Sequence, residues 1–414
     1  MRRPLLAALS AAAALALSIV ALAPSAGATP SQQALTVRNT PVCGTPGAGR
    51  AQCFAVRHDA VDGSGRVAPN GGVKPNAATP GTGYGPADIQ SAYNLPAATT
   101  ATPSGNLVAI VDAYDAPTAE ADLGRYRSTY SLPACTTANG CFTKVGQGGP
   151  TTALPAVDGG WAQEISLDLD MVSAACPNCR ILLVEANSAS FSDLAVAVNY
   201  AASQGVVAIS NSYGGSDTSN ATIAKAYNQH PGIAVTASTG DSGYGVQSPA
   251  SFSNVVAVGG TTLKRSPTAA ANGRMWTESA WSGAGSGCSR YNANTYQDTK
   301  ATKCNNKADA DVSAVADPNT GVNVYDSTAY QGASGWMVFG GTSASSPIIA
   351  GVYAQGPAIG SGPAGAYTWK NASGNLNDVT SGSNGHCSTR VWCTAGSGWD
   401  GPTGLGTPWG TGAF

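Results

Sequence analysis

Apolar runs of strand length recur along the chain with almost no polar alternation. Leu107 to Val111, Arg180 to Ala186, Val206 to Ser210, Ile233 to Ala237 and Val255 to Val258 are the main ones. Stretches with helical spacing lie between them. Tyr84 to Pro96 places Pro86 in a first turn and Ile89, Ala92 and Tyr93 on one face. Ala119 to Tyr130, Trp161 to Ser173 and Phe191 to Gln204 read as further helices, the last capped by Ser190 or Ser192. Strands that lack a polar face are buried on both sides, and strands alternating with helices pair in parallel. The pattern predicts an α/β fold: a mostly parallel central sheet with helices on both faces, in three layers. Such sheets bind ligands beyond the carboxyl ends of their strands. Asp112, Asn211, Asp241 and Ser343 all fall just past an apolar run.

The run Trp336 to Phe339 enters the tight turn Gly340-Gly341, and an apolar helix is expected to start near Ser343. A serine there is either a structural cap or a nucleophile placed where free backbone N–H groups and the helix dipole favour developing negative charge. The string is not the Gly-x-Ser-x-Gly elbow, because Ser345 stands at the second glycine position.

Composition narrows the setting. Arg2 and Arg3 precede an apolar run from Leu5 to Leu22, and Ala26-Gly27-Ala28 offers a cleavage site, so residues 1–28 read as an export signal and the protein as secreted. No later run is long enough to cross a membrane. Of the 414 residues only 11% are charged, the net charge is −2, and no basic footprint points to nucleic acid. Ten cysteines in an exported chain suggest disulfides between near neighbours: Cys43/Cys53, Cys135/Cys141, Cys176/Cys179, Cys288/Cys304 and Cys387/Cys393. Cys176-Pro-Asn-Cys179 has redox or zinc spacing, but no second ligand pair accompanies it. Residues 29–83 are rich in Gly, Ala and Pro and read as a short, loosely structured leader ending in a linker.

A serine hydroxyl needs a base. The chain has three histidines, His58, His230 and His386, and none stands in a setting that marks it as that base. Asp112 ends a strand, but without a matching histidine it reads as incidental. Glu164 and Asp168 lie four apart on one helical face among Ile165, Leu167, Leu169 and Met171. They are either a solvated acidic edge or a carboxyl pair held in an apolar setting for a task. Asp170 points elsewhere and reads as structural.

Three motifs in order resemble the sedolisins, the serine-carboxyl peptidases: Glu164-x-x-x-Asp168, Gly240-Asp241-Ser242-Gly243, and Gly341-Thr342-Ser343 with Pro347 following. The resemblance runs from about Tyr84 to the C-terminus, residues 84–414, and includes Ser248-Pro249-Ala250-Ser251, Val258 to Thr261 and Glu278 to Trp281. It implies a subtilisin-like fold and a monomeric endopeptidase acting on proteins or peptides in acid. Ser343 would be the nucleophile, Glu164 the base and acid, Asp168 its orienting partner, and Asp241 the oxyanion donor. It also implies one structural Ca2+ ion held by the side chains of Asp378 and Asp400 and the carbonyls of Val379, Gly396 and Gly398. Two departures stand out: the leader is too short for a folded pro-domain, and Gly340 replaces the usual serine. Tyr213, Tyr244 and Trp281 are candidate pocket walls. A non-catalytic binding protein on the same scaffold, and a neutral peptidase using His230 or His386, are the alternatives.

Overall fold

The computed structural model describes residues 35–414, apart from 63, 65, 68–79, 100, 101 and 152. The expected export signal lies outside the described residues. Three strands come first: β1 (Thr36–Pro41), β2 (Gln52–Cys53) and β3 (Val56–Val61). Then follow α1 (Pro86–Tyr93), β4 (Leu107–Ala113), α2 (Ala119–Thr129), β5 (Phe142–Gly146), α3 (Gly159–Ala175), β6 (Arg180–Ala186) and α4 (Phe191–Ala202). The middle of the chain supplies β7 (Ala208–Asn211), β8 (Tyr213–Ser216), α5 (Ala221–Asn228), β9 (Ala234–Ser238), β10 (Gln247–Ser248), β11 (Val256–Arg265) and β12 (Trp276–Ala280). A side hairpin, β13 (Gly287–Ala293) and β14 (Asn306–Asp309), flanks the short α6 (Thr299–Thr302). Next come β15 (Val312–Val315), β16 (Val322–Tyr330), β17 (Ala333–Gly340), α7 (Thr342–Tyr353) and α8 (Ala364–Asn371), and the short paired strands β18 (Leu376–Asn377) and β19 (Thr407–Pro408) follow.

The central sheet runs β12-β11-β9-β7-β4-β6-β5, with β15 added beside β11. Every pairing in it is parallel except β11 with β12. Val, Ile, Leu and Ala fill β4, β6, β7 and β9, and nearly all of these side chains are buried, as a sheet covered on both faces requires. Helices α3 and α7 pack on each other, with α7 against β7, β9, β11 and β15, while α4 packs with α5 and β6. The five disulfides join the five neighbouring pairs expected from their spacing. Among the described residues no helix is long and apolar enough to cross a membrane.

The leader needs a correction. Thr36–Val61 is not loose: it belongs to the same compact unit as the rest of Leu35–Phe414. β3 lies between β1 and β17, and β2 pairs antiparallel with β8. These strands are short and take their register from partners far along the chain, so no local periodicity announces them. The Cys43–Cys53 bridge braces the loop between β1 and β2. No domain boundary falls at residue 83, because the leader strands are part of the fold that follows.

Candidate active site

Two long buried helices build the site. Helix α3 starts at Asp158, whose carboxylate caps it by accepting from the N–H groups of Gly160 and Trp161 at 3.0 Å each. From Gly160 to Ala175 every residue is buried, so Glu164 and Asp168 sit in the interior and not on a solvated edge. Helix α7 is buried along its whole length and starts directly after β17 through Gly341, whose φ of 94° suits glycine.

Ser343 is on the first turn of α7. Its hydroxyl donates to the Ser212 carbonyl (3.1 Å) and accepts from the Phe54 N–H (3.1 Å). Glu164 lies near it: burial, and then the charge of Asp168, push the Glu164 carboxyl well above the usual range, while the nearby Ser343 hydroxyl and the hydrogen bond from the Ala55 N–H oppose the shift. The Ala55 N–H donates to Glu164 Oε2 at 2.8 Å, and Oε1 has no partner among the described residues. Asp168 accepts from the Ser212 hydroxyl at 2.8 Å through one oxygen, and the other is unpartnered. Burial and the neighbouring Asp112 raise its pKa as well.

Asp112 is therefore not incidental. Both its oxygens are buried without partners, and burial followed by the charges of Glu164 and Glu185 drives its pKa far up. It completes a cluster of buried acids around Glu164. Its place after an apolar run is the one signal in the sequence that points to it.

Asp241 follows β9 and closes the other side of Ser343. Its Oδ1 accepts from both the N–H and the hydroxyl of Thr342 (2.8 Å each), while Oδ2 has no partner. Burial raises its pKa to about 7, against those two hydrogen bonds. Oδ2 lies 2.6 Å from where a Cβ on Gly341 would stand, and the Phe54 carbonyl oxygen crowds the same point. Any side chain at Gly341 would overlap both.

The histidines are elsewhere: His58 bonds Asn39 (2.9 Å), His230 bonds the Ala226 carbonyl (2.7 Å), and His386 is on an exposed loop. Asp170 accepts from the Tyr325 N–H at 3.0 Å, a structural bond. Of the expected walls, Tyr213 is buried, with its hydroxyl on Asn211, Trp281 packs against Gly260 and Gly283, and Tyr244 is exposed near Gly287.

Near the C-terminus Asp378 Oδ2 accepts from the Gly398 N–H (2.9 Å) and Asp400 Oδ2 from the Gly396 N–H (3.1 Å). Burial raises Asp400 to about 7, with the Asp378 charge adding to the rise. The carbonyls of Val379, Gly396 and Gly398 accept no hydrogen bond among the described residues. Two converging carboxylates with free carbonyls around them suit a hard, oxygen-preferring cation. Among the described residues no cluster of three or more acidic, His or Cys side chains forms a metal site, so backbone oxygens would have to complete the shell.

A serine at a buried helix start is faced by buried carboxyl groups on a mostly parallel α/β scaffold. Known proteins share this scaffold. The model of the subtilase family, Peptidase_S8, matches residues 156–358. Kumamolisin of Bacillus sp. (strain MN-32) is 27% identical over 375 residues, covering 79% of this chain and 62% of kumamolisin. Sedolisin of Pseudomonas sp. (strain 101) is 33% identical over 177 residues, 40% of this chain and 29% of sedolisin. The chain thus spans less than two thirds of these relatives' length. The solved structure of a Pseudomonas sedolisin, described as a serine-carboxyl proteinase complexed with two molecules of pseudo-iodotyrostatin, has the same fold at a TM-score of 0.61 and 24% identity, covering 79% of this chain and 95% of that one. The chain is thus similar to the sedolisins in sequence and in fold.

Proposed function

We propose that the protein is a secreted endopeptidase that hydrolyses peptide bonds of proteins in acid through Ser343, Glu164 and Asp168, with Asp241 as oxyanion donor. The observation that carries this reading is the neighbour of Ser343: a buried carboxyl, Glu164, in the place where a base is needed. In the step envisaged, the Glu164 carboxylate accepts the Ser343 hydroxyl proton as the oxygen attacks the substrate carbonyl carbon. The resulting oxyanion takes a hydrogen bond from protonated Asp241. Glu164 then gives its proton to the departing amine, and water repeats the sequence to release the acid. Asp168 makes no hydrogen bond to Glu164 among the described residues and acts on it through its charge, which raises the Glu164 pKa.

The charge requirements set the pH dependence. Asp241 can donate only when protonated, which its raised pKa allows below about pH 7. The charge of Asp241 acts on Glu164 and raises it further, and Thr342 supplies the fixed hydrogen bonds of Asp241. Asp241 therefore sets the upper limit, with activity falling as pH rises through about 7, while Glu164, which must be ionised to take the serine proton, sets the lower limit through its raised pKa. Denatured casein, or a quenched peptide library, incubated from about pH 3 to 8 beside Ser343→Ala and Glu164→Ala tests the reading. A wild-type maximum above about pH 7, or equal turnover by Ser343→Ala, would refute it.

One Ca2+ ion bound by Asp378, Asp400 and the carbonyls of Val379, Gly396 and Gly398 is proposed as a brace for the loop that the Cys387–Cys393 bridge also fixes. It supplies positive charge to two acids and takes no part in the chemistry. Export and a monomeric state complete the reading.

A further inference from the structure

Asp241 stands on a turn that is held from outside. Among the described residues neither Asp241 nor Ser242 makes a backbone hydrogen bond, and the turn is fixed at its two ends. At one end the Gly240 N–H donates to the Thr342 hydroxyl (3.1 Å), and the Gly240 carbonyl accepts from the Gly285 N–H (2.8 Å). At the other the Gly243 N–H donates to the Gly283 carbonyl (2.8 Å), and Gly245 exchanges bonds with Ser286 (2.9 and 3.1 Å). Residues 283–286 therefore carry the turn, yet they lie outside helix and strand, just before β13.

Asn384 stiffens that carrier. Its side chain is buried, at 4% exposure. Its amide nitrogen donates to the Ala284 carbonyl (2.6 Å) and to the Ser286 hydroxyl (2.7 Å). Contacts alternate along the loop: Gly283 and Gly285 hold the Asp241 turn, while Ala284 and Ser286 are held by Asn384. The backbone of Asn384 adds a direct tie, since its carbonyl accepts from the Tyr244 N–H at 2.9 Å. Gly243 makes room for that carbonyl: at its φ of 75° an added Cβ would come within 2.6 Å of the oxygen. Asn384 is itself anchored. Its N–H donates to the Cys393 carbonyl at 3.0 Å, and the Cys387–Cys393 bridge closes the loop behind it. At this side-chain length only an amide offers two N–H donors from one atom.

We propose that Asn384 is a positioning residue for Asp241: it sets where that acid stands beside Ser343, and so how well the oxyanion is met. The proposal rests on the peptidase reading above, in which Asp241 is the oxyanion donor. Such a donor works from about 2.7–3.1 Å. A misplacement of about 1 Å costs on the order of a hundredfold in rate. Without the Asn384 amide, two buried acceptors lose their donor, and the loop shifts to satisfy them elsewhere. The loss falls on kcat and not on KM, because the oxyanion exists only beyond the ground state.

The test is a double-mutant cycle on the full chain, with a quenched peptide that wild type cuts, at the pH where wild type is fastest. Wild type, Asn384→Ala, Asp241→Ala and the double variant are compared, with kcat and KM measured separately. Asn384→Ala is expected to lower kcat on the order of ten- to a hundredfold, with KM within about twofold of wild type. In the Asp241→Ala background the same change should cost less than about twofold, because the group it positions is gone. Such non-additivity supports the proposal. A residue that merely supports the fold would cost the same factor in both backgrounds. That result overturns the proposal, as does a wild-type kcat in Asn384→Ala or a loss confined to KM, and each leaves the peptidase reading standing. Wild type that cuts no peptide between about pH 3 and 8 brings both readings down together. Melting curves accompany every variant. If Asn384→Ala is unfolded at the assay temperature, Asn384→Asp, which keeps the shape without the two-donor amide, completes the cycle with the same expectations.

Discussion

Two groups of buried acids in this molecule are treated in opposite ways. Asp311 and Glu278 are fully served. Asp311 accepts from the Ala257 N–H, the Tyr296 hydroxyl, Gln297 and Trp369 at 2.9 Å each, and it is paired with buried Lys307. Glu278 accepts from Tyr93 (3.0 Å) and from Thr261, Arg274 and Thr407 (2.6 Å each). Glu164, Asp168 and Asp112 are equally buried and, among the described residues, have no cation in contact and keep oxygens with no partner. A charge taken out of water is stable when paired and hydrogen-bonded, and otherwise neutralises by taking up a proton. The first group therefore holds the fold together. On the proposed reading the second holds protons and exchanges them with whatever lies at Ser343.

The largest effect separates chemistry from stability. Ser343→Ala should lower kcat on the order of a millionfold, by analogy with other serine peptidases, with a melting temperature close to wild type. A large loss of stability in that variant would show that its hydroxyl also holds the fold. Lys307→Met attacks the other group. It strands the Asp311 charge in the interior and should cost about 3–5 kcal/mol of unfolding free energy, read by denaturant titration. A loss under about 1 kcal/mol would mean that the contrast between the two groups is not one of charge pairing. Next comes Asp241→Ala, expected to reduce kcat on the order of a hundredfold or more while the fold persists. Equal activity would remove Asp241 from the site.

A smaller effect follows from linkage. Burial lifts Asp241 to about 7, and Glu164 and Asp168 well above the usual range, so the folded chain holds protons that the unfolded chain releases. Stability from these groups is complete below about pH 4, where unfolded carboxyls titrate, and is lost as pH rises through the folded values. Melting temperatures measured between about pH 4 and 7 should fall with pH in wild type, and less steeply in Glu164→Gln. A paired acid would show the opposite slope.

The framework was readable because it follows local rules. Apolar runs without alternation gave the parallel sheet, and Arg180–Ala186 has the bounds its pattern suggests. The spacing of Glu164 and Asp168 put both on one face, and the near-neighbour cysteines pair as expected. What the sequence hid is non-local. β2 pairs with β8 at Tyr213, and one edge of β3 with β17 at Gly340, both more than 150 residues along the chain. Asp112 is recognisable only once three strands and a helix bring it beside Glu164. Local periodicity carries no information about either.

The smallest expected effect concerns a pair that stands between the two groups. Asp378 and Asp400 receive backbone hydrogen bonds as structural acids do, yet have no cation beside them, and the charge of Asp378 works against ionising Asp400. A bound calcium ion would move the pair into the served group, since it binds the folded loop and not the unfolded chain. At a hundredfold excess over its dissociation constant an ion stabilises by about 2.7 kcal/mol. Chelation with EGTA should therefore lower the melting temperature by a few degrees, with recovery on adding Ca2+ but not Na+. Asp378→Asn should melt at the chelated value whether or not calcium is present. An unchanged melting curve in EGTA, with no calcium by elemental analysis, would make these acids a third kind: hydrogen-bonded by backbone alone, and content without a counter-charge.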